Sequence, residues 1–174
     1  WGKSLNNSSI EKELSYQGCT NVTACNYDST AIHDDGSCSY TKDCFGDCGG
    51  IMVLDICGIC GGETVISEEC SSNWYINYNV SAPIKGFQFN VDGIEITGST
   101  GGAAEEASFT VSTSSTTVLG FSILGESIPM SRGVLVQIEY EGEINMACIT
   151  NLILSDVDGF ELDAEIINCN TIKY

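Results

Sequence analysis

The sequence predicts a mainly-β protein in two parts, a disulfide-rich irregular N-terminal module followed by an antiparallel β-sandwich. Three observations carry that expectation. Eight of the ten cysteines fall between residues 19 and 70. From Trp74 onward, apolar and polar residues alternate with period two, in short runs spaced about ten residues apart. Gly and Asp-Gly punctuate those runs, and no extended helical period is present after residue 20. The expected boundaries are an N-terminal arm over 1–17, a Cys-rich module over 18–71 and the sandwich over 72–174.

The arm, WGKSLNNSSIEKELSYQ, is polar with apolar anchors at Trp1, Leu5, Ile10, Leu14 and Tyr16. Ser9 can cap a short helix that places Ile10 and Leu14 four apart. No cysteine ties this segment to its own module. It is therefore expected either to trail free or to dock on a neighbouring copy.

The stretch Asp43 to Gly62 sets the character of the second region. It holds two half-matching units, Cys-Phe-Gly-Asp-Cys-Gly-Gly and Cys-Gly-Ile-Cys-Gly-Gly, separated by the apolar run Ile51 to Leu54. Twenty residues with four Cys and six Gly bury too little apolar surface to fold unaided, so covalent bonds or a metal must hold them. Zinc fits the spacing of Cys44, Cys48, Cys57 and Cys60. It would leave six thiols unexplained, whereas an even count of ten suits disulfides in an oxidising compartment. The expected disulfide set is Cys19, Cys25, Cys38, Cys44, Cys48, Cys57, Cys60, Cys70, Cys148 and Cys169. Spacing alone does not give the connectivity. Cys148 and Cys169 are the only cysteines of the sandwich, both on expected strands, and are expected to pair with each other.

Gly18-Cys19-Thr20, Asn26-Tyr27-Asp28 and Asp34-Asp35-Gly36-Ser37-Cys38-Ser39-Tyr40 resemble the short "GCT…NYD…DDGSC" repeat of large secreted surface proteins. The Cys-Gly-Gly units that follow resemble the spacers accompanying that repeat. The resemblance spans residues 18–62 and implies an extracellular module without a catalytic role. It also implies that Cys19 pairs with Cys38, which frees Cys25 to bond forward, to Cys44. Connectivity of Cys48, Cys57, Cys60 and Cys70 stays open.

In the sandwich, Trp74, Ile76, Tyr78 and Val80 form one face of a strand, and Phe87, Phe89 and Val91 one face of the next. Further strands are expected at Ile94–Thr97, Ala107–Thr113, Thr117–Leu124, Val134–Tyr140, Ala147–Leu154 and Phe160–Ile167. About eight such strands suffice for one shared core. The order of Gly-Phe-Gln-Phe (86–89), Gly-Val-Leu-Val-Gln-Ile (133–138) and Asn-Leu-Ile-Leu-Ser-Asp (151–156) resembles cohesin-like and immunoglobulin-like sandwiches. No partner-facing residue can be matched, so that resemblance carries fold and not dockerin binding.

Twenty-four acids against six bases give a net charge of -18. Such a chain repels phosphate backbones and anionic lipid, so no nucleic acid and no membrane insertion are expected. No apolar run approaches the roughly 20 residues of a membrane span. The chain begins at Trp1 rather than Met, as a processed chain would. Calcium is the expected cation, at Asp28, Asp34 and Asp35, with a weaker candidate at Asp156, Asp158 and Asp163, where a hairpin turn at Asp158-Gly159 competes. A third acidic group is Asp43, Asp47 and Asp55. Four Asn-x-Ser/Thr sequons, at Asn6, Asn7, Asn21 and Asn79, are the candidate glycan sites.

Catalysis finds little support. His33 is the single histidine, Glu105 and Glu106 are adjacent and do not flank a bond, and no cysteine is expected to be reduced. The expectation is a secreted, non-catalytic structural protein. It would self-associate into a surface fibril or adhesive layer, with calcium and glycans as helpers. The competing expectation is an adhesion module that binds carbohydrate or protein. Trp74 and Tyr78 read as core, which leaves Tyr75 and Tyr140 as candidate sugar platforms.

Overall fold

A computed structural model describes residues 17–63 and 73–174. The arm, with Asn6 and Asn7, and the cysteine at Cys70 therefore lie outside the described residues, apart from Gln17. The chain packs as two compact units: residues up to Asp43 with Asp47–Ile51, and Cys44–Gly46 with Met52–Tyr174.

The first unit is built from turns and cross-links. Strands β1 (Gln17–Gly18) and β2 (His33–Asp34) form one short parallel pair. Cys19 bonds Cys38, as the repeat resemblance implies, and Cys25 bonds Cys48 rather than Cys44. Asn26 straps the loop from both ends of its amide: Nδ2 donates to Ser37 O at 2.7 Å, and Oδ1 accepts from Ser39 N at 2.8 Å. A main-chain bond from Cys25 N to Ser39 O runs beside it. With only Cys19, Ala24 and Asp43 buried among the described residues of this unit, these links replace a core.

The second unit holds the sandwich. Its strands are β3 (Asn73–Asn79), β4 (Gly86–Asp92), β5 (Glu95–Thr100), β6 (Thr110–Thr113), β7 (Thr117–Phe121), β8 (Arg132–Glu141), β9 (Cys148–Ser155), β10 (Glu161–Leu162), β11 (Glu165–Ile167) and β12 (Thr171–Lys173). They form two five-stranded sheets, β10-β9-β4-β7-β6 and β11-β12-β3-β8-β5. All pairings in these two sheets are antiparallel except β12 with β3, which run parallel. The expected run Phe160–Ile167 is two strands, β10 in one sheet and β11 in the other, with Asp163 and Ala164 at the crossing. One helical turn, α1 (Gly102–Glu106), interrupts what the sequence reads as strand and linker. Glu105 closes it by accepting from Gly101 N at 2.6 Å.

Alternation does what it promises at β4, where Phe87, Phe89 and Val91 are buried and Gln88 and Asn90 half-buried. These side chains meet Ile76, Leu135, Ile138, Ile149 and Leu154 in one core. Phe87 stacks on Phe89 and on Phe109, at 6.1 and 6.2 Å between ring centres. Gly120, across from Phe87, is a packing requirement: a Cβ there would lie 2.1 Å from the ring. β3 departs from alternation, because Trp74 to Tyr78 are all buried. Trp74, Ile76 and Tyr78 join the core as the sequence suggests. Tyr75 is covered too, and Tyr140 is half-buried against the core. Burial removes Tyr75 as a sugar platform.

Cys148 and Cys169 are bonded. Cys169 lies in the turn between β11 and β12 rather than on a strand, with φ at +67°. Because β9 and the β11–β12 hairpin belong to different sheets, this bridge staples the two sheets together, beside a main-chain bond from Ile149 N to Cys169 O.

Candidate functional site

The two Cys-Gly-Gly units repeat in structure with a twelve-residue period, offset by one from the match that the cysteines suggest. Asp43 and Asp55 are the equivalent positions, not Cys44 and Cys57. Asp43 N donates to Asp47 O at 3.0 Å and its Oδ1 accepts from Asp47 N at 2.9 Å. Asp55 makes the same pair with Ile59, at 2.9 Å each. Gly49 N reaches Thr41 O, and Gly61 N reaches Val53 O, both at 2.9 Å. The shared pattern is Asp-x-x-Gly-x-Cys-Gly-Gly. Its last glycine lies under the carboxylate, since a Cβ on Gly50 or Gly62 would come within 2.1 or 2.2 Å of the Asp43 or Asp55 oxygen.

The second of these knuckles, with Cys44–Gly46, belongs to the sandwich unit. Cys44, Phe45 and Cys60 form a small buried cluster closed by the Cys44–Cys60 bridge. The outward side chains of β3 hold it. The fully buried Asn77 accepts from Cys60 N at 3.2 Å and donates to Gly58 O at 3.1 Å, and Asn79 Nδ2 donates to Phe45 O at 3.2 Å. Lys173 Nζ donates to Gly46 O at 2.5 Å, and the Arg132 guanidinium lies 5.4 Å above the Phe45 ring. This is why β3 is buried on both sides. Cys57 is disulfide-bonded too, and no described cysteine is free.

The acidic candidates turn onto their own backbones. Asp28 Oδ1 accepts from Thr30 N and Oγ1 at 2.8 and 2.7 Å, which holds its carboxyl below the ordinary range. Ser37 lowers the Asp35 carboxyl in the same way, chiefly through its hydroxyl and also through its amide, which donates to Oδ1 at 2.9 Å. Asp34 caps Gly36 N at 2.9 Å. Asp156 caps Asp158 N and Phe160 N in the turn at Asp158-Gly159, while Asp163 sits exposed at the sheet crossing. Among the described residues, no three His, Cys, Asp or Glu side chains converge as a metal ion requires. His33 is exposed on β2. Asn21 is exposed, with Thr23 donating to its Oδ1, whereas Asn79 is half-buried and spends its Nδ2 on Phe45.

What stands out is the outer face of the β10-β9-β4-β7-β6 sheet. Register places three cross-strand rows on it: Ser112, Leu119, Gln88 and Ile153; Thr110, Phe121, Gly86 and Ser155; Thr117, Asn90 and Thr150. No row contains a charge between β6 and β9, in a chain of 24 acids; Asp92 and Glu161 only border it. Leu119, Phe121 and Ile153 are 39–46 % exposed and flank a groove of about 190 Å³ whose floor includes Gly86 and Gly120. Lys85 Nζ donates to Gly125 O, and the exposed Ile123 and Leu124 lie just before that link, beside the Gly86 end. The sequence reading missed this face. Its signal was an inversion of the usual alternation, with apolar residues on both sides of β7. No protein-family model, curated protein or solved structure matches this chain.

Proposed function

We propose that this chain is an extracellular, non-catalytic structural protein, a subunit of a surface fibril or adhesive assembly that forms by self-association. The uncharged face on β9-β4-β7-β6, on which Leu119, Phe121 and Ile153 stand exposed around a groove, carries the reading. Exposed apolar side chains clustered within a polar, uncharged rim are typical of interaction sites. A chain carrying -18 repels its own copies, so contact between them needs a face from which acids have been removed. This face meets that need. The disulfide framework suits an oxidising, extracellular setting, and no described helix is long and apolar enough to cross a membrane. The resemblances to secreted surface repeats and to cohesin-like sandwiches point the same way.

Electron microscopy and sedimentation of the full chain test the proposal. Concentration-dependent particles larger than a monomer are expected, and Leu119→Glu, which buries a charge in any contact made there, should shift their formation to at least about tenfold higher protein concentration while leaving the fold intact. A chain that stays monomeric at all accessible concentrations would overturn it. Retained assembly in L119E would move the contact elsewhere.

A further inference from the structure

We infer that the second knuckle, at Met52–Ile56, is the counterpart of the sheet face, so that one copy's knuckle seats in the next copy's groove and the copies stack head to tail. The inference rests on reading that face as an assembly surface. Met52, Val53, Leu54 and Ile56 are 38–72 % exposed in a segment without regular strand structure. A second exposed apolar cluster on one strongly acidic unit is a separate observation from the sheet face. The one acid in this stretch, Asp55, is turned away into its own loop, its Oδ1 accepting from Cys57 N and Ile59 N at 3.0 and 2.9 Å.

Placement gives the geometry. The knuckle is pinned through Gly58 and Cys60 to the outward side chain of Asn77 on β3, so it lies on the outer side of the β11-β12-β3-β8-β5 sheet. The groove lies on the outer side of the other sheet. The two apolar surfaces thus face opposite ways across one sandwich, both fixed to the same compact unit.

Shape selects between ways of pairing them. The sheet face carries a groove of about 190 Å³ lined by Gly86, Gly120, Gln88 and Ser155 with the exposed Leu119, Phe121 and Ile153. The knuckle projects, with Val53 72 % exposed. Two grooves placed face to face would leave both floors unfilled, whereas a projecting Val or Ile side chain fills one. Both clusters lack an outward charge, so seating one on the other desolvates no ionised group, whereas a buried unpaired charge would cost several kcal/mol. A heterologous contact between opposite faces does not close on itself, so the product is an open filament.

Complementation between two broken copies tests this. Val53→Glu spoils the knuckle and Leu119→Glu the groove; both positions are solvent-facing, so thermal melts should match the unmodified chain. In sedimentation velocity, each variant alone should need at least about tenfold more protein to associate. Mixed one to one, they should form a heterodimer and nothing longer, because one good knuckle and one good groove remain. Homodimers formed by either variant alone would show like-to-like pairing and overturn the inference. Unimpaired assembly of V53E with loss in L119E would overturn it while leaving the assembly face standing. If both variants assemble as the unmodified chain does, the reading of the sheet face fails as well.

Discussion

Asn77 shows how one side chain sets the environment of a whole strand face. It is fully buried and satisfies two main-chain groups of the knuckle, Gly58 O and Cys60 N. Asn77→Ala would leave both without partners in a dry site, so a loss of about 2–4 kcal/mol in urea unfolding is expected. A change under about 0.5 kcal/mol would show that water reaches the site. The loop carboxylates make the opposite case, because Asp35 is exposed and Asp28 only half-buried. Hydrogen bonds from Thr30 and Ser37 lower the Asp28 and Asp35 carboxyls in the folded loop. A depressed folded value means the contribution is present above the unfolded value, near 4, and lost as pH falls through the folded one. Amide exchange at Thr30 and Ser37, compared with Asn26-bonded Ser39, should therefore accelerate below about pH 4 beyond its intrinsic pH dependence. Flat protection factors from pH 6 to pH 2 would contradict this.

Within the sandwich, the β11–β12 hairpin is held by a covalent tie. β12 contributes three residues and β11 three, too few to hold their place by ladder bonds alone. Ile172 is nevertheless fully buried, and Cys169 anchors the hairpin's turn to Cys148 at the start of β9. The bridge closes a sequence separation of 21. Replacing both cysteines by Ala should cost about 3 kcal/mol, chiefly by freeing the unfolded chain. The loss should be larger in protection of β12 amides than in that of β4, which lies between β9 and β7 in the other sheet. Equal loss in both strands would mean that the sheets unfold as one.

At the scale of the molecule, charge and burial work against each other. A net charge of -18 on 174 residues favours dispersal, and only the apolar surfaces favour association. Screening therefore controls the balance. Lowering ionic strength from about 0.15 M to about 0.01 M lengthens the Debye distance from roughly 8 to 30 Å. Assembly should weaken several-fold over that range in light scattering, and recover with added salt. Stronger assembly at low salt would instead point to attraction between opposite charges across the contact.

Class and framework were legible in the chain because they depend on local pattern. Alternation at Trp74–Val80 and Phe87–Val91 placed two core faces, and cysteine parity favoured disulfides over a zinc site that the spacing of four thiols allowed, as the bonded Cys44, Cys48, Cys57 and Cys60 bear out. The pairing of Cys148 with Cys169 followed from their isolation in the sandwich. Other features depend on which segments meet, and no local pattern records that. Tyr75 reads as outward-facing by period, yet it is buried, and beside it Asn77 and Asn79 hydrogen-bond the main chain of Gly58, Cys60 and Phe45, partners that no local pattern records. Asp28, Asp34 and Asp35 read as a cation loop by composition, and each accepts a hydrogen bond from an amide two residues on, a turn geometry that composition does not record. Cys25 chose Cys48 over Cys44 because Cys44 closes on Cys60 in the other unit. The candidate assembly face is the clearest case. Leu119, Phe121 and Ile153 stand on two strands that flank β4, separated by more than thirty residues of chain between Phe121 and Ile153. Only sheet register sets them side by side, since hydrogen-bond pairing between distant strands, and not sequence spacing, decides which side chains share a surface.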